Sequence, residues 1–205
     1  MDTIYKSDTK RVFLTFDDGP SPVTSKILDI LKQENVKATF FILGSNVDSR
    51  KDVVKRMYEE GHYLANHGYS HTYSKIYSSP QSVLDEYNEC NDKVKNAIEV
   101  PDYNSHLFRF PGGLAGGKYA EIKKEAKELL LQNNIVNVDW NALTGDAETN
   151  NLSVEFEMTR LTETMESKNS LVILMHDAAA KSVTADALPQ IIAKLKEEGY
   201  EFKNF

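Results

Sequence analysis

The chain has 205 residues, of which 40% are hydrophobic and 27% are charged. This length and composition are typical of one globular domain with a buried core, and they argue against a disordered chain. The formal net charge of −7 and the isoelectric point near 5.3 argue against a basic surface for nucleic acid or anionic lipid, so a neutral polymer or a small molecule is the expected partner.

Strand-like and helix-like segments alternate along the chain. Apolar runs predict strands over residues 11–16, 37–43, 62–68, 106–112, 135–140, 170–177 and 200–205. Amphipathic segments predict helices over residues 24–35, 50–61, 80–99, 119–134, 151–167 and 184–199. Several strands are continuous apolar runs, which is typical of parallel sheets covered by helices on both faces. Seven strands with crossover helices predict an incomplete (β/α)7 barrel, a distorted TIM-like barrel, with a doubly wound open sheet as the alternative.

Unusual polar residues follow five of the predicted strands. They lie in the stretches "TFDDGP", "NHGYSH", "RFPGG", "VDWNALTGDA" and "LMHD". Each stretch alone reads as an ordinary turn. The carboxyl ends of the strands of a parallel barrel share one face, and active sites form there. The five stretches together therefore predict a single site.

His67 and His71 are four residues apart, and Asp18 reaches the same edge of the predicted sheet. Two imidazoles and one carboxylate leave coordination positions open for water and substrate, which is typical of a catalytic metal site. A non-haem iron oxygenase uses the same kind of ligand set, but that function would not explain why Asp17, Arg109 and His176 also lie at this edge.

Arg109 and His176 stand at the ends of apolar strands, where an unpaired charge is costly. Arg109 is therefore expected to pair with a carboxylate. His176 has two candidate partners in the preceding strand region, Asp146 and Asp139, and the sequence leaves the choice between them open.

The five stretches, in this order, resemble the five motifs of the polysaccharide deacetylases, carbohydrate esterase family 4, also called the NodB-homology domain. The motifs span Thr15 to Asp177, and their flanking strands cover nearly the whole chain. The resemblance implies a single catalytic domain over residues 1–205. It also implies a hydrolase that uses one divalent ion to remove N-acetyl groups from a β-1,4-linked N-acetylglucosamine polymer, peptidoglycan or chitin, with release of acetate. Zinc is the first expectation for the ion, and cobalt, nickel and manganese also accept these ligands.

The resemblance also implies a role for each matching residue. Asp17 matches the catalytic base and Arg109 the arginine that holds it, while His176 matches the general acid and Asp146 the residue that tunes it. The remaining matches are three metal ligands and one apolar residue beside the acetyl pocket: Asp18, His67, His71 and Leu174.

Two positions depart from the family pattern. Gly112 stands where many members carry an aromatic residue, so a wall of the groove is expected to be missing while the backbone N–H that stabilises the oxyanion is kept. Asp146 is followed by Ala147 rather than tryptophan. Trp140, the only tryptophan of the chain, is the candidate for the lost apolar surface.

Two other functions remain open: an O-acetyl esterase on acetylated xylan, and a non-catalytic carbohydrate-binding module on the same scaffold. The expected partner is an acetylated polysaccharide, without nucleic acid, and the expected state is a monomer. The sequence shows no membrane segment and no signal peptide. The resemblance implies an extracellular or cell-wall-associated protein if the chain is part of a longer one, and a cytoplasmic protein otherwise.

Overall fold

The computed structural model describes residues 2–205. The strands are Arg11–Asp17 (β1), Thr39–Ile42 (β2), Tyr63–Asn66 (β3), Leu107–Phe108 (β4), Val136–Asn137 (β5), Ala142–Leu143 (β6), Ser170–His176 (β7) and Glu201–Lys203 (β8). The helices are Pro22–Gln33 (α1), Gly44–Val47 (α2), Lys51–Glu59 (α3), Tyr73–Ile76 (α4), Pro80–Ile98 (α5), Ala120–Gln132 (α6), Val154–Met165 (α7) and Ser182–Glu197 (α8), and a short 3-10 helix, Asp2–Tyr5, precedes β1.

All the strand pairs are parallel, and the sheet has the order β5-β4-β3-β2-β1-β7-β6. Within residues 2–205 the two end strands, β5 and β6, do not pair with each other, so the barrel is open between them. The register of β1 with β2 covers only Thr15–Asp17, and β8 pairs with the free half of β1 at Arg11–Phe13. The incomplete barrel predicted from the sequence is confirmed.

Alternate residues of each strand face opposite sides of the sheet, as the pleat requires. In β1, Val12, Leu14 and Phe16 pack in the main core between the sheet and the helices. Phe13 packs on the other face, inside the curl of the barrel, with Phe41, Val138 and Val172 among its neighbours there. Asp17 has the same parity as Phe13, so the strand directs its carboxylate into the barrel mouth.

The main differences from the predicted strands lie at β4, β5 and β6. The fourth and fifth strands are only two residues long, although hydrogen bonds from Arg109 N to Asn66 O and from Val138 N to Phe108 O, both 3.0 Å, extend the pairing slightly. Strand β6 was not predicted. Its two residues pair with β7 and bring the loop that follows β6 to the end of β7.

The helices cover the outer face of the sheet. The longest is α5, with 19 residues, and its buried side contains the fully buried Cys90. None of the helices within residues 2–205 combines the length and the apolar character that a bilayer span requires.

Candidate active site

Three strands deliver the central polar residues to one edge of the sheet. Asp17 ends β1 and lies opposite His176 of β7 in the register, while His67 follows directly after β3. These three residues are all on inward-facing positions of their strands, since alternate residues share a face. The barrel mouth is therefore lined with ionisable groups, although its floor is apolar.

The adjacent residues Asp17 and Asp18 have different backbone conformations. Asp17 is a β residue, whereas Asp18 has a φ of 76° in the left-handed region, so the two carboxylates meet different partners. The side-chain amide of Asn46 donates to the Asp18 carbonyl at 3.0 Å. Helix α1 begins shortly afterwards with a capping box at Ser21, which fixes the end of the turn.

Asp18, His67 and His71 form a cluster that can hold a cation. Their ligand atoms all lie within 4.8 Å of one another, and Asp18 Oδ1 is 3.6 Å from His67 Nε2 and 3.5 Å from His71 Nε2. Asp18 Oδ1 is buried and has no hydrogen-bond partner among residues 2–205. A buried carboxylate oxygen without a donor is costly unless it binds a cation, so this donor set fits a divalent ion.

The surroundings of His67 keep its ring neutral, with a free lone pair on Nε2. Its Nδ1 lies 2.8 Å from the carbonyl oxygen of Arg109, which only accepts, so Nδ1 carries the proton and Nε2 keeps its lone pair. Burial lowers the pKa of His67 to about 3, and the imidazole is therefore neutral at neutral pH. Such a carbonyl contact also orients the ring.

The loop between the two histidines is held by a buried acid of α5 that sequence reasoning missed. Glu86 Oε2 accepts hydrogen bonds from the backbone N–H groups of Tyr69 (2.8 Å) and Ser70 (2.6 Å), and Oε1 accepts from the Ser70 hydroxyl (2.6 Å). The signal in the sequence is an acidic residue between Val83 and Tyr87 on the apolar face of the helix.

Arg109 is fully buried, and its guanidinium donates four hydrogen bonds. Its Nη1 donates to Asp17 Oδ1 at 2.7 Å and to Thr15 Oγ1 at 2.8 Å. Its Nε and Nη2 donate to the carbonyls of Val138 and Asp139 at 2.9 and 3.0 Å. Burial raises the pKa of Asp17, and the nearby guanidinium opposes that rise. The pair is thus fixed in one geometry, with Asp17 Oδ2 left on the side of His67, 3.7 Å from its Nε2.

His176 is paired with Asp146 rather than with Asp139. Asp146 Oδ1 lies 2.8 Å from His176 Nδ1, and Asp146 Oδ2 accepts from the His176 backbone N–H at 2.7 Å. Burial alone would lower the pKa of His176, but the hydrogen bond and charge of Asp146, together with the charges of Asp17 and Asp18, raise it to about 9. The Asp139 carboxylate instead accepts from the backbone N–H of Leu114 at 3.2 Å.

The three residues matched to substrate binding lie in different surroundings. Leu174 is two residues before His176 in β7, hence on the same face of the sheet, and it is 9% exposed. Gly112 has a φ of 74°, and a Cβ built on it would lie 2.5 Å from the hydroxyl oxygen of Tyr73. Tyr73, which the sequence did not single out, therefore occupies the space where the missing aromatic wall was expected.

Trp140 packs in a different part of the site from Gly112. The Arg109 guanidinium lies over the Trp140 ring, 5.6 Å from its centroid, and over the Phe41 ring at 4.0 Å. A Cβ on Gly113 would approach the indole to 3.0 Å. Trp140 thus packs against the buried arginine and the neighbouring turn, and it does not fill the position beside Gly112.

Asp177, directly after His176, explains the glycine of the Asp-Asp-Gly-Pro turn. Its carboxylate is buried and accepts a hydrogen bond from the Thr24 hydroxyl at 2.5 Å. A Cβ on Gly19 would lie 2.0 Å from Asp177 Oδ2, so any side chain there would displace the acid. Burial raises the pKa of Asp177 to about 7.

The chain is similar in sequence to proteins of known function. A model of the family described as polysaccharide deacetylase matches residues 5–132. A peptidoglycan-N-acetylglucosamine deacetylase of Bacillus cereus is 34% identical over 97% of this chain and 70% of its own length. The peptidoglycan-N-acetylglucosamine deacetylase PgdA of Listeria monocytogenes is 36% identical over 94% of this chain, which spans only 37% of PgdA.

The fold agrees with a solved structure of the same kind. A Streptococcus mutans CE4 esterase superposes with a TM-score of 0.90 and 35% sequence identity, covering 99% of this chain and 90% of the esterase. The sequence match, the relatives and the superposed fold agree with one another, and the chain belongs to the polysaccharide deacetylase family.

Proposed function

We propose that this protein is a metal-dependent deacetylase that removes N-acetyl groups from N-acetylglucosamine units of a peptidoglycan-type polymer. We further propose that the ion is zinc, and that one domain over residues 1–205 acts as a monomer. The observation that carries the proposal is the position of Asp17. This buried carboxylate is held by Arg109 at 2.7 Å and stands beside the cation-binding cluster of Asp18, His67 and His71.

The first half of the reaction uses Asp17 as a general base. A divalent ion held by Asp18, His67 and His71 would polarise the acetyl carbonyl and lower the pKa of a water molecule. Because Arg109 engages Oδ1 of Asp17, Oδ2 is the oxygen available to take the proton as the water oxygen attacks the carbonyl carbon. The guanidinium also keeps the base from rotating away from the water.

The second half uses His176 as a general acid. With a pKa raised to about 9, His176 is protonated at neutral pH, and Asp146 on Nδ1 leaves the Nε2 proton for transfer. The C–N bond breaks as the amine nitrogen takes this proton, giving acetate and a free amine. The backbone N–H of Gly112, which has no acceptor among the described residues, can donate to the oxyanion before the bond breaks.

The apolar side chain of Leu174 stands on the face of β7 that carries His176, a position suited to the acetyl methyl group. The same groups could cleave an O-acetyl ester, whose alkoxide leaving group needs less help from an acid. The pairing of the buried Asp146 with the partly buried His176 favours the amide as substrate, because a poor amine leaving group gains most from a protonated histidine.

Acetate release tests the proposal directly. The protein loaded with zinc would be incubated with chitin oligomers, peptidoglycan and acetylated xylan, and acetate and new free amines would be measured. We expect acetate and amine in equal amounts from the N-acetylglucosamine polymers. Acetate from xylan alone would identify an esterase, and no acetate from any polymer would leave a non-catalytic binding module.

A further inference from the structure

A recess of about 410 Å³ opens beside the cation-binding cluster. Asp18 and His71 line it on one side, and Asn46, Ser49 and Arg50 at the junction of α2 and α3 also line it. A polymer that places one acetamido group at the cluster must continue past it in both directions. This recess is one place where a neighbouring part of the polymer can lie.

Arg50 differs from the other arginines of the chain. Four arginines use their guanidinium groups in hydrogen bonds with backbone or side-chain oxygens: Arg11, Arg56, Arg109 and Arg160. The half-buried Arg50 is the one arginine within residues 2–205 whose side chain makes no hydrogen bond or ion pair. Arg50 also lines the recess, and a guanidinium without an internal acceptor is available to an anion.

We propose that Arg50 binds a carboxylate of the substrate and so favours an acidic glycan over a neutral one. This inference rests on the proposed deacetylase function. In peptidoglycan every second sugar is a muramic acid, whose lactyl group carries either a free carboxylate or a peptide stem with carboxylates of its own. Chitin carries no carboxylate. The planar guanidinium can bind a carboxylate through two parallel hydrogen bonds, which gives both affinity and orientation.

The test compares an acidic and a neutral oligosaccharide of equal length. The acidic probe alternates N-acetylglucosamine with N-acetylmuramic acid and is used with and without its peptide stem; the neutral probe is a chitin oligomer. The variant is Arg50→Gln. The matched control is Lys51→Gln, which removes the same charge one residue away from an exposed side chain that does not line the recess.

We expect the ratio of kcat/KM for the acidic probe to that for the neutral probe to fall roughly tenfold in Arg50→Gln, mostly through KM. In Lys51→Gln we expect this ratio to stay within about twofold of the starting protein. A loss with the bare glycan assigns Arg50 to the lactyl carboxylate, and a loss only with the peptide-bearing glycan assigns it to the stem. An unchanged ratio in Arg50→Gln overturns this inference, whereas no acetate release by the starting protein overturns the proposed function.

Glu86 supports a second and independent proposal. This residue of α5 is 4% exposed, and both of its carboxylate oxygens are used by the loop that joins His67 to His71. The first turn of that loop is also fixed by Asn66, whose Oδ1 accepts from the Gly68 N–H at 2.8 Å. His71 itself has a φ of 53°, a left-handed conformation that is uncommon for a non-glycine residue.

We infer that Glu86 is a positioning residue that holds the loop in its metal-binding shape before the ion arrives. The variant Glu86→Gln keeps the size of the side chain but replaces one acceptor oxygen by an NH2 group. The NH2 group cannot accept the hydrogen bond that the replaced oxygen accepted from a backbone N–H or from the Ser70 hydroxyl. The control is Glu89→Gln, an exposed acid three residues along the same helix. Ser70→Ala, which removes one donor, is a milder second variant.

Zinc affinity is measured by competition with a chromophoric chelator, and backbone amide exchange is measured in the metal-free protein. We expect Glu86→Gln to weaken zinc binding roughly tenfold to a hundredfold and Ser70→Ala to weaken it less. We also expect faster exchange at Tyr69 and Ser70 in Glu86→Gln, with Glu89→Gln unchanged in both measurements. Unchanged zinc affinity in both Glu86→Gln and Ser70→Ala overturns the proposal, and the milder variant decides the matter if Glu86→Gln does not fold.

Discussion

Replacing Asp146 by asparagine tests whether His176 works as an acid. In the structure the pKa of His176 is raised from 6.5 to about 9, which corresponds to roughly 3 kcal/mol in favour of the protonated ring. Asp146 supplies most of that preference through its 2.8 Å hydrogen bond and its charge, and burial works against it. Without the carboxylate, the pKa should fall to its ordinary value or below, so about a tenth or less of His176 is protonated at pH 7.5.

An acid must be protonated to act, so activity is lost as pH rises through its pKa. We therefore expect Asp146→Asn to move the alkaline limb of the kcat profile down by about 2.5 pH units or more on an N-acetylglucosamine oligomer. At pH 7.5 the expected loss in kcat is about tenfold or more, and His176→Ala should cost about a hundredfold or more. Both losses should be distinctly smaller on an activated aryl acetate.

The same profiles are measured for Asp139→Asn, whose carboxylate contacts the Leu114 N–H rather than His176. The alkaline limb of this control should not move. An unmoved limb in Asp146→Asn, or a larger shift in Asp139→Asn, would refute the pairing. Equal losses of His176→Ala on the amide and on the aryl acetate would refute the acid role.

Four other predictions follow from the site and its surroundings. Asp17→Asn should keep its metal and fold but lose about 10²–10⁴-fold in kcat, because an amide cannot take the proton of the water; wild-type kcat would remove Asp17 from the role of base. His67→Ala and His71→Ala should each lose the metal, and elemental analysis that finds full occupancy would exclude that histidine as a ligand. Arg109→Met should lower the free energy of unfolding by about 3–5 kcal/mol in urea titrations, since it leaves the Asp17 charge buried and unpaired; a loss below about 1 kcal/mol would contradict this. Burial raises the pKa of Glu157 from 4.5 to about 7, so wild-type stability should decline as pH rises across that window, and Glu157→Gln should abolish that part of the decline; an unaltered pH dependence would contradict it.

The positions of the main strands along the chain could be predicted from the sequence because their apolar runs are distinct. Strand β6 could not, because it has only two residues, and one backbone hydrogen bond at each end, from Asn141 N and Thr144 N, extends its pairing with β7. Its approach to β7 depends on Asn141, whose side-chain amide donates to Ser170 O and accepts from Val172 N, both at 2.8 Å. A side chain that supplements so short a backbone ladder leaves no periodic pattern in the sequence.

The candidate site also contains residues that the sequence could predict and residues that it could not. The geometry brings together Asp18, His67 and His71, which belong to short local stretches at strand ends. Tyr73 carries no such pattern, and the only signal of Glu86 is a single acid on the apolar face of α5. Their contacts, with the loop between His67 and His71 and with Gly112, arise from the packing of α5 and α4. The choice between Asp146 and Asp139 depended on the position of β6 and needed the structure.

Metal titration of activity tests the central claim most directly. The protein is stripped of metal by a chelator and dialysed, zinc is added stepwise, and acetate release from an N-acetylglucosamine oligomer is measured at each step. We expect negligible activity without metal and a linear rise that saturates at about one ion per chain, because the chain has one set of Asp18, His67 and His71. Full acetate release by the metal-free protein, or none at any zinc level, would contradict it.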